Sequence, residues 1–139
     1  MNFKETNFNL KIILIEPNGP INIGSIARLC SNFNVDQLRI VSPKCDINSL
    51  ETKKMALKGM KYITECTIYE SLIESISDCD LVLATCGRID YQKGYELDSL
   101  ENISSWTKNF KELKNLAILF GREDRGLTNK ELLMAHKVF

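Results

Sequence analysis

The sequence predicts an α/β domain in which a parallel sheet carries helices on both faces. Short apolar runs of strand length recur along the 139 residues, and segments with helical spacing of apolar residues separate them. No internal repeat, low-complexity tract or linker interrupts this alternation. Strands that alternate with helices form βαβ units, whose strands pair in parallel. A chain of this length is expected to form a single domain with its own core.

The first half of the chain is predicted to supply three strands and two helices. Apolar residues with helical spacing follow Asn22, which we expect to cap the first helix. Gly59 is expected to end the second helix, because glycine readily takes the backbone conformation found at helix ends. The predicted elements are, in order, a strand Leu10–Glu16, a helix Ile23–Phe33, a strand Gln37–Val41, a helix that Asn48 or Ser49 caps and that runs to about Lys58, and a strand within Ile63–Tyr69.

The second half is predicted to continue the alternation, with two capping boxes. In a capping box, a Ser or Thr and a Glu three residues later bond each other's backbone N–H groups. Ser71 with Glu74 and Thr128 with Glu131 have this spacing. The predicted elements are, in order, a short helix after Ser71, a strand Asp80–Thr85, a polar loop Cys86–Glu96, a helix Ser104–Leu113, a strand Leu116–Phe120, a helix from Thr128 to about Ala135, and the start of a strand at Lys137-Val138-Phe139.

The charge of the chain is balanced overall but uneven along its length. The 18 basic and 18 acidic residues give a net charge of zero, which argues weakly against a nucleic-acid partner. Residues 44–61 are rich in lysine, whereas residues 70–101 are rich in aspartate and glutamate. We interpret these stretches as two solvated faces rather than as a stripe dedicated to RNA. The lysines are Lys44, Lys53, Lys54, Lys58 and Lys61.

Cysteine usage and hydropathy predict a cytoplasmic protein without a metal site. The five cysteines form no C-x-x-C pair, and an odd number without pairing is typical of reduced thiols. The one histidine, His136, lies far from any cluster of cysteines, so a zinc site is not expected. No apolar run approaches the length of a membrane span, and the N-terminus lacks the apolar core of a signal peptide.

Ligands of parallel α/β sheets bind beyond the carboxyl ends of the strands, so three loops are candidates for a site. The first, Pro17–Asn22, is neither a Walker loop nor G-x-G-x-x-G. Its glycine and Asn22 would let a phosphate approach the start of a helix. From the pattern alone, Arg28 on that helix is best explained as a solvent-exposed arginine.

The other two candidate loops follow apolar strands. Gly121–Leu127 crowds charges between two glycines, and a charged turn before a capped helix explains the glycines only in part. The loop Cys86–Glu96 follows small residues, which would leave a flat shelf for a flat ligand. Cys86 is expected to be a packed thiol rather than a nucleophile, because no histidine base is near it in sequence.

Together these loops resemble the motifs of the SpoU/TrmH group of the SPOUT methyltransferases. The first motif of that group reads N-x-G-x-x-x-R, which Asn22, Gly24 and Arg28 match. The second reads F-G-x-E-x-x-G-L, which Phe120, Gly121, Glu123, Gly126 and Leu127 match. The segment Ala56-Leu57-Lys58-Gly59-Met60 resembles the group's A-x-G-A segment. Glu16-Pro17 and the run Leu127–Leu132 are similar to the TrmJ-like tRNA subgroup, and the resemblance extends from Leu10 onward.

The resemblance implies a fold, a cofactor and a reaction. The implied fold is a parallel α/β sheet whose C-terminal stretch threads through a loop as a trefoil knot, a rare exception to unknotted topology. The implied cofactor is S-adenosylmethionine, held bent in the knot by Thr85-Cys86-Gly87 and the loop around Gly121. The implied acceptor is a ribose 2′-hydroxyl of RNA, with a tRNA anticodon loop as the subgroup's substrate.

The resemblance also assigns catalytic roles. Arg28 matches the family's catalytic arginine, and a ribose hydroxyl attacks poorly unless its proton is removed or its developing charge is stabilised. Because arginine stays protonated, we expect Arg28 to position an RNA phosphate and to stabilise the attacking oxygen. A role as general base, which requires a neutral guanidinium, is the alternative. Asn22 and Glu123 are expected to orient Arg28 and the second motif's loop.

Members of this family form homodimers in which the second subunit completes the RNA site. The sequence by itself marks no interface. Four apolar residues on the first and last helices suit either a core or a partner, and we expect them in the core. They are Ile26, Leu29, Leu133 and Met134.

The family's third motif, close to S-L-N-x-A/S, is not found before the chain ends at Phe139. We therefore expect residues 1–139 to be one methyltransferase domain, truncated at its C-terminal end, with the knot segment missing or incomplete. These residues alone are expected to bind cofactor weakly and not to methylate RNA, and micromolar binding in calorimetry would contradict this. Two alternatives are a catalytically inactive relative that docks RNA or a partner, and an unrelated flavodoxin-like domain that binds a nucleotide or flavin.

Overall fold

A computed structural model of the chain describes residues 7–87 and 99–139. The strands of this part are β1 (Asn9–Ile15), β2 (Gln37–Val41), β3 (Thr67–Tyr69), β4 (Leu81–Ala84), β5 (Asn115–Phe120) and β6 (Lys137–Val138). They form one sheet in the order β3-β2-β1-β5-β4-β6, and each neighbouring pair is parallel. The predicted parallel sheet is confirmed. Most of the predicted loop Cys86–Glu96 lies outside the described residues.

The helices of the described part are α1 (Pro20–Asn32), α2 (Leu50–Ala56), α3 (Met60–Thr64), α4 (Leu72–Ile76), α5 (Leu100–Thr107) and α6 (Asn129–Leu132). A short 3₁₀ helix, Leu57–Gly59, joins α2 to α3. Over residues 7–87 and 99–139, none of these helices combines the length and apolar character that crossing a bilayer requires.

Two hydrophobic clusters lie on opposite faces of the sheet. Side chains alternate along a strand, so Leu10, Ile12 and Leu14 of β1 face one cluster, and Ile13 and Ile15 face the other. The first cluster packs against α1, α2, α3 and α5, and the second against α4 and α6. This arrangement confirms helices on both faces. The buried helical residues are Ile23, Ala27, Cys30, Ala56, Tyr62, Ile63 and Ile103 in the first cluster and Leu72 and Leu132 in the second.

Helix α1 begins earlier than the sequence predicted, and Asn22 is not its cap. Gly19 occupies the N-cap position and Pro20 the first helical position. Proline suits that position because its fixed φ matches the helix and its missing N–H would find no partner there. Strand β1 likewise ends at Ile15 rather than Glu16, because Glu16 leaves the extended region with φ 47.

Two glycines let α1 pack closely against the segment after β2. A Cβ at Gly24 would lie 2.5 Å from the carbonyl oxygen of Thr52. A Cβ at Gly59 would lie 2.3 Å from the carbonyl group of Ala27. The prediction that Gly59 ends a helix was wrong, because α2 ends at Ala56 where Leu57 turns to φ 50. The chain then continues through the 3₁₀ helix into α3.

The remaining predicted helices are shifted or shortened. Helix α5 begins at Leu100 rather than Ser104, because the Ser99 side chain caps it by accepting the N–H of Asn102 at 3.2 Å. Thr128 and Glu131 form the predicted capping box, but α6 ends at Leu132. Ser71 caps α4 by accepting the N–H of Glu74, without a return bond from Glu74 in the described structure.

A buried arginine that the sequence did not indicate fastens α4 to the sheet. Arg39 of β2 is 4% exposed. Its guanidinium donates to both carboxylate oxygens of Asp78, at 2.6 and 2.8 Å, and to the carbonyl oxygen of Ser75 at 2.6 Å. The hydrogen bonds from Arg39 hold the pKa of Asp78 well below its ordinary value, although partial burial opposes the shift.

Two of the four apolar residues expected in the core are exposed. Leu29 is 52% exposed and Leu133 65% exposed. Ile26 and Met134 pack against the first and second clusters. Leu29 shares the outer face of α1 with Ile21 and Phe33, because residues four apart lie on one side of a helix. This exposed apolar face is opposite the side of α1 that covers the sheet.

Candidate functional site

A cleft of about 800 Å³ opens at the carboxyl ends of β1, β5 and β4. It lies where the strand order reverses, with β2 on one side of β1 and β5 on the other. Open α/β sheets bind ligands at such a switch point, and the volume is typical of a small-molecule site. The three candidate loops all contribute lining residues, namely Pro17 and Asn22 from the first, Thr85, Cys86 and Gly87 from the second, and Gly121–Leu127 from the third.

Glu123 joins the loop after β5 to the start of α1. Its carboxylate accepts the N–H of Gly19 at 3.0 Å and the N–H of Asn18 at 3.2 Å. Asn22 also bonds this carboxylate through its side chain. Burial raises the pKa of Glu123, but these hydrogen bonds outweigh burial and hold the pKa below its ordinary value. The carboxylate is therefore charged at neutral pH, as a cap on the positive end of a helix should be.

Arg122 ties the same loop to β1 and to α6. Its side chain is 12% exposed and forms ion pairs with Glu16 and, at 2.8 Å, with Glu131. It also donates to the carbonyl oxygen of Gly126 at 3.3 Å. Burial raises the pKa of Glu131, but hydrogen bonds from Arg122 and Thr128 outweigh it and lower the pKa overall.

Glu16 occupies the end of β1 in a strained conformation. Its φ of 47 lies in the left-handed region, which costs a non-glycine residue roughly 1–2 kcal/mol. The Nζ of Lys44 lies 3.3 Å from one carboxylate oxygen, and Arg122 binds the other. Strain of this kind persists only where surrounding contacts hold it, and it concentrates at functional sites.

The turn Gly121–Gly126 requires both of its glycines. A Cβ at Gly121 would lie 2.2 Å from the carbonyl carbon of Gly126, which no side chain tolerates. Gly126 has φ 68, in the left-handed region that favours glycine. Backbone bonds between Arg122 and Gly126, at 2.8 and 3.2 Å, close the turn. A charged turn thus accounts for both glycines once its geometry is seen.

The end of β4 forms the floor of the cleft. The Thr85 hydroxyl donates to the carbonyl oxygen of Leu119 at 3.0 Å. The Cys86 N–H donates to the carbonyl oxygen of Phe139 at 2.8 Å, beside β6. Cys86 packs against the second hydrophobic cluster, as expected of a packed thiol, and all five cysteines are free. Among the residues that the structure describes, none lies within 4 Å of a Cβ built at Gly87.

The structure brings together six of the seven residues predicted for the site. Asn22, Gly121 and Glu123 line the cleft with Thr85, Cys86 and Gly87. Arg28 is exposed and does not line it. Arg28 lies six residues beyond Asn22, which places it about 9 Å further along the helix and on another side. Within the described residues, no hydrogen bond or ion pair joins Arg28 to Asn22 or Glu123.

The sequence reasoning missed Glu16 and Arg122 as parts of the site. The signal available was the alternation of charge in Arg122-Glu123-Asp124-Arg125. Only the structure shows that Arg122 forms ion pairs and that Glu123 accepts hydrogen bonds, whereas the side chains of Asp124 and Arg125 are 80% and 76% exposed. The sequence suggested that a phosphate could bind the N–H groups at the start of α1. In the structure the N–H groups of Asn18 and Gly19 donate to the carboxylate of Glu123 instead. Gly24 contacts α2 instead.

The cleft is suited to holding a ligand rather than attacking one. Two of its charged side chains, Arg122 and Glu123, are committed to contacts that shape the loops, whereas Asp124 and Arg125 of the same turn are exposed. Its thiol, Cys86, is packed.

Comparisons with known proteins agree on one family. Residues 9–139 match the family model described as the SpoU rRNA Methylase family. The tRNA (cytidine-2'-O-)-methyltransferase TrmJ of Sulfolobus acidocaldarius is 36% identical over 124 residues, which cover 88% of this chain and 51% of that protein. TrmJ of Methanocaldococcus jannaschii, described in the same words, is 34% identical over 88% of this chain and 53% of its own length.

A solved structure gives the same result. The structure of a probable methylase family protein from Haemophilus influenzae superposes with a TM-score of 0.81 at 32% identity, and the match covers 94% of this chain and 54% of that one. The chain therefore spans about half the length of the relatives it matches.

Proposed function

The chain belongs to the SpoU rRNA Methylase family, and we propose that it transfers a methyl group from S-adenosylmethionine to a ribose 2′-hydroxyl of tRNA. The observation that carries the proposal is the cleft at the switch point, where the two motifs of the family meet through the side-chain hydrogen bond between Asn22 and Glu123. The names of the two TrmJ relatives support tRNA as the RNA and ribose as the site of methylation. The family match disfavours an unrelated flavodoxin-like domain.

The residues of the cleft fit S-adenosylmethionine. A volume of about 800 Å³ accommodates a ligand of that size. We assign the floor Thr85-Cys86-Gly87 and the turn at Gly121 to cofactor binding, because these residues line the cleft from the ends of β4 and β5. The bound cofactor would supply an electrophilic methyl group.

Arg28 is proposed to act on the RNA. Its exposed position on α1 leaves the guanidinium accessible to a macromolecule that approaches the cleft. A permanently charged guanidinium binds a phosphate and stabilises negative charge that develops on a hydroxyl oxygen. Asn22 and Glu123 are proposed to support Arg28 through the position of α1, since they contact each other and the start of that helix.

A second copy of the chain is proposed to complete the RNA site. The support is the exposed apolar face of α1, where Ile21, Leu29 and Phe33 are 55%, 52% and 42% exposed. Exposed apolar patches of this kind mark interaction surfaces. Sedimentation of the wild type and of Leu29→Glu tests this, with a dimer expected for the first and a monomer for the second. A wild-type monomer at micromolar concentration would contradict it.

We further propose that residues 1–139 belong to one knotted methyltransferase domain and that the protein acts in the cytoplasm. The family membership and the unpaired cysteines support these proposals.

The function is tested by methyl transfer from labelled S-adenosylmethionine to a tRNA transcript, with the full-length protein that contains these residues rather than with residues 1–139 alone. We expect label in tRNA, at a nucleotide whose phosphodiester bond then resists alkaline cleavage because its 2′-oxygen is blocked. Arg28→Ala should lower kcat by at least 100-fold while cofactor affinity stays within twofold, and Asn32→Ala, one turn further along α1, should change neither. Binding of tRNA and cofactor without transfer would favour the inactive relative instead.

A further inference from the structure

Three lysines form a basic surface beside α1. Lys53 and Lys54 lie in the last turn of α2, and Lys58 lies in the 3₁₀ helix that follows. All three are exposed. Among the residues that the structure describes, none of the three forms an ion pair with a carboxylate. We call this set the lysine face.

The lysine face is held against the helix that carries Arg28. Gly59, the residue after Lys58, lies against the backbone of Ala27 and Arg28, since a Cβ there would be 2.5 Å from the Arg28 nitrogen. Thr52, the residue before Lys53, is fully buried, and its carbonyl oxygen lies against Gly24. Both ends of the segment are therefore fastened to α1 within one turn of each other on that helix.

The first loop of the cleft is connected to the same segment. The Lys44 N–H donates to the carbonyl oxygen of Pro17 at 2.9 Å, and the Lys44 ammonium lies beside Glu16. The segment that begins at the edge of the cleft thus continues onto the lysine face.

The charge of this region differs in sign from the rest of the chain. Residues 44–61 carry five lysines against Asp46 and Glu51, a balance of three positive charges in a chain whose net charge is zero. The remaining residues therefore carry three net negative charges. Lys53 and Lys54 could also stabilise α2, because cations near the carboxyl end of a helix interact favourably with its dipole. That effect does not explain Lys58, and it does not explain why the three lysines form no ion pair among the described residues.

We propose that Lys53, Lys54 and Lys58 bind the phosphate backbone of the tRNA whose ribose lies at the cleft. The proposal rests on the proposed function for the identity of the RNA. Each ammonium that contacts a phosphate releases a condensed counterion, so binding weakens as salt rises, with a slope of roughly −0.7 to −0.9 per contact in log–log form. The lysine face would supply affinity and orientation without reading the base.

The test compares two triple variants of the protein. One replaces Lys53, Lys54 and Lys58 with glutamine, and the matched control replaces Lys108, Lys111 and Lys114, which are also exposed but lie near the amino end of β5, away from the cleft. The affinity for a tRNA transcript is measured by fluorescence anisotropy between 50 and 200 mM salt. The affinity for S-adenosylmethionine and the melting temperature are measured on the same samples.

We expect the first variant to bind tRNA on the order of tenfold or more weakly than the wild type. Its plot of log affinity against log salt concentration should be less steep by about 2–3. Its cofactor affinity should stay within twofold, and the control should match the wild type in every measurement. Equal tRNA affinities and equal salt slopes for the two triple variants would overturn the proposal. Failure of the proposed function is a separate result, because it appears as absence of methyl transfer by the wild type.

Discussion

The carboxylate of Glu123 lies 3.0 Å from the backbone nitrogen of Gly19, across a separation of 104 residues in the chain. This bond makes the loop after β5 the cap of α1. A side chain from a distant loop thus accepts the N–H of the N-cap residue, which is the bond that the glutamate of a capping box makes from within its own helix. The loop after β5 at the cleft and the helix that carries Arg28 are consequently one mechanical unit.

Glu123→Ala should loosen that unit. Removing the carboxylate leaves the N–H groups of Asn18 and Gly19 without their acceptor, at a cost of about 1 kcal/mol or slightly more in the free energy of unfolding. Because Glu123 also shapes the cleft, cofactor affinity should fall at least threefold in calorimetry. Asp124→Ala is the control, since that neighbour is 80% exposed. Identical behaviour of the two variants would show that the cap contributes nothing.

Arg122→Met should destabilise the domain more strongly. The substitution leaves Glu131 without its cation and Glu16 with Lys44 alone, and removing one partner of a buried ion pair costs about 3 kcal/mol. Urea denaturation should show the loss. Arg125→Met, at the other side of the same turn and 76% exposed, should change stability by less than about 0.5 kcal/mol. A small loss for Arg122→Met would mean that its two ion pairs are solvated in solution.

Gly59→Ala should push α1 away from the segment after β2. A methyl group there would lie 2.3 Å from the carbonyl group of Ala27, and neither backbone can give way without moving a helix. We expect a loss of about 2 kcal/mol or more in the free energy of unfolding. Gly87→Ala is the matched control for stability, because no described residue lies within 4 Å of a Cβ at that position. Full stability of Gly59→Ala would show that the two helical segments separate easily.

Acid should weaken the attachment of α4 through Asp78. Its folded-state pKa lies below the ordinary value of 3.8, mainly because of hydrogen bonds from Arg39. A lowered folded-state pKa contributes stability that is present above the unfolded-state pKa and is lost as pH falls through the folded-state pKa. Stability should therefore decline below about pH 4, and Asp78→Asn should flatten that decline.

The size of this acid effect is limited by solvent. The Asp78 side chain is 53% exposed, so screening reduces its contribution at pH 7 to on the order of 1 kcal/mol. Chemical denaturation of wild type and Asp78→Asn between pH 2.5 and 7 measures it. A mutant curve parallel to the wild-type curve over this range would rule out the linkage.

Local patterns in the sequence were sufficient for most of the sheet. The apolar runs of β4 and β5 could be recognised in the sequence because a strand buried on both faces needs apolar side chains at nearly every position. The capping box at Thr128 and Glu131 depends only on residues three apart, and it forms as predicted. The boundaries of α1 and α2 were misjudged because glycine has two uses, at helix ends and at close contacts, and one sequence cannot distinguish them.

The sequence by itself determined the class of fold, the family and the loops that form the cleft, because periodicity and motif spacing are local properties of the chain. Only the tertiary structure decided which charges act inside the site. The motif marks Glu123 but does not distinguish Arg122 from Asp124 and Arg125, and only the structure shows that Arg122 is bound by Glu16 and Glu131 and that Glu123 is bound to the start of α1. Those partners lie far away in sequence, and electrostatic contacts across such distances exist only after the sheet has brought β1 beside β5.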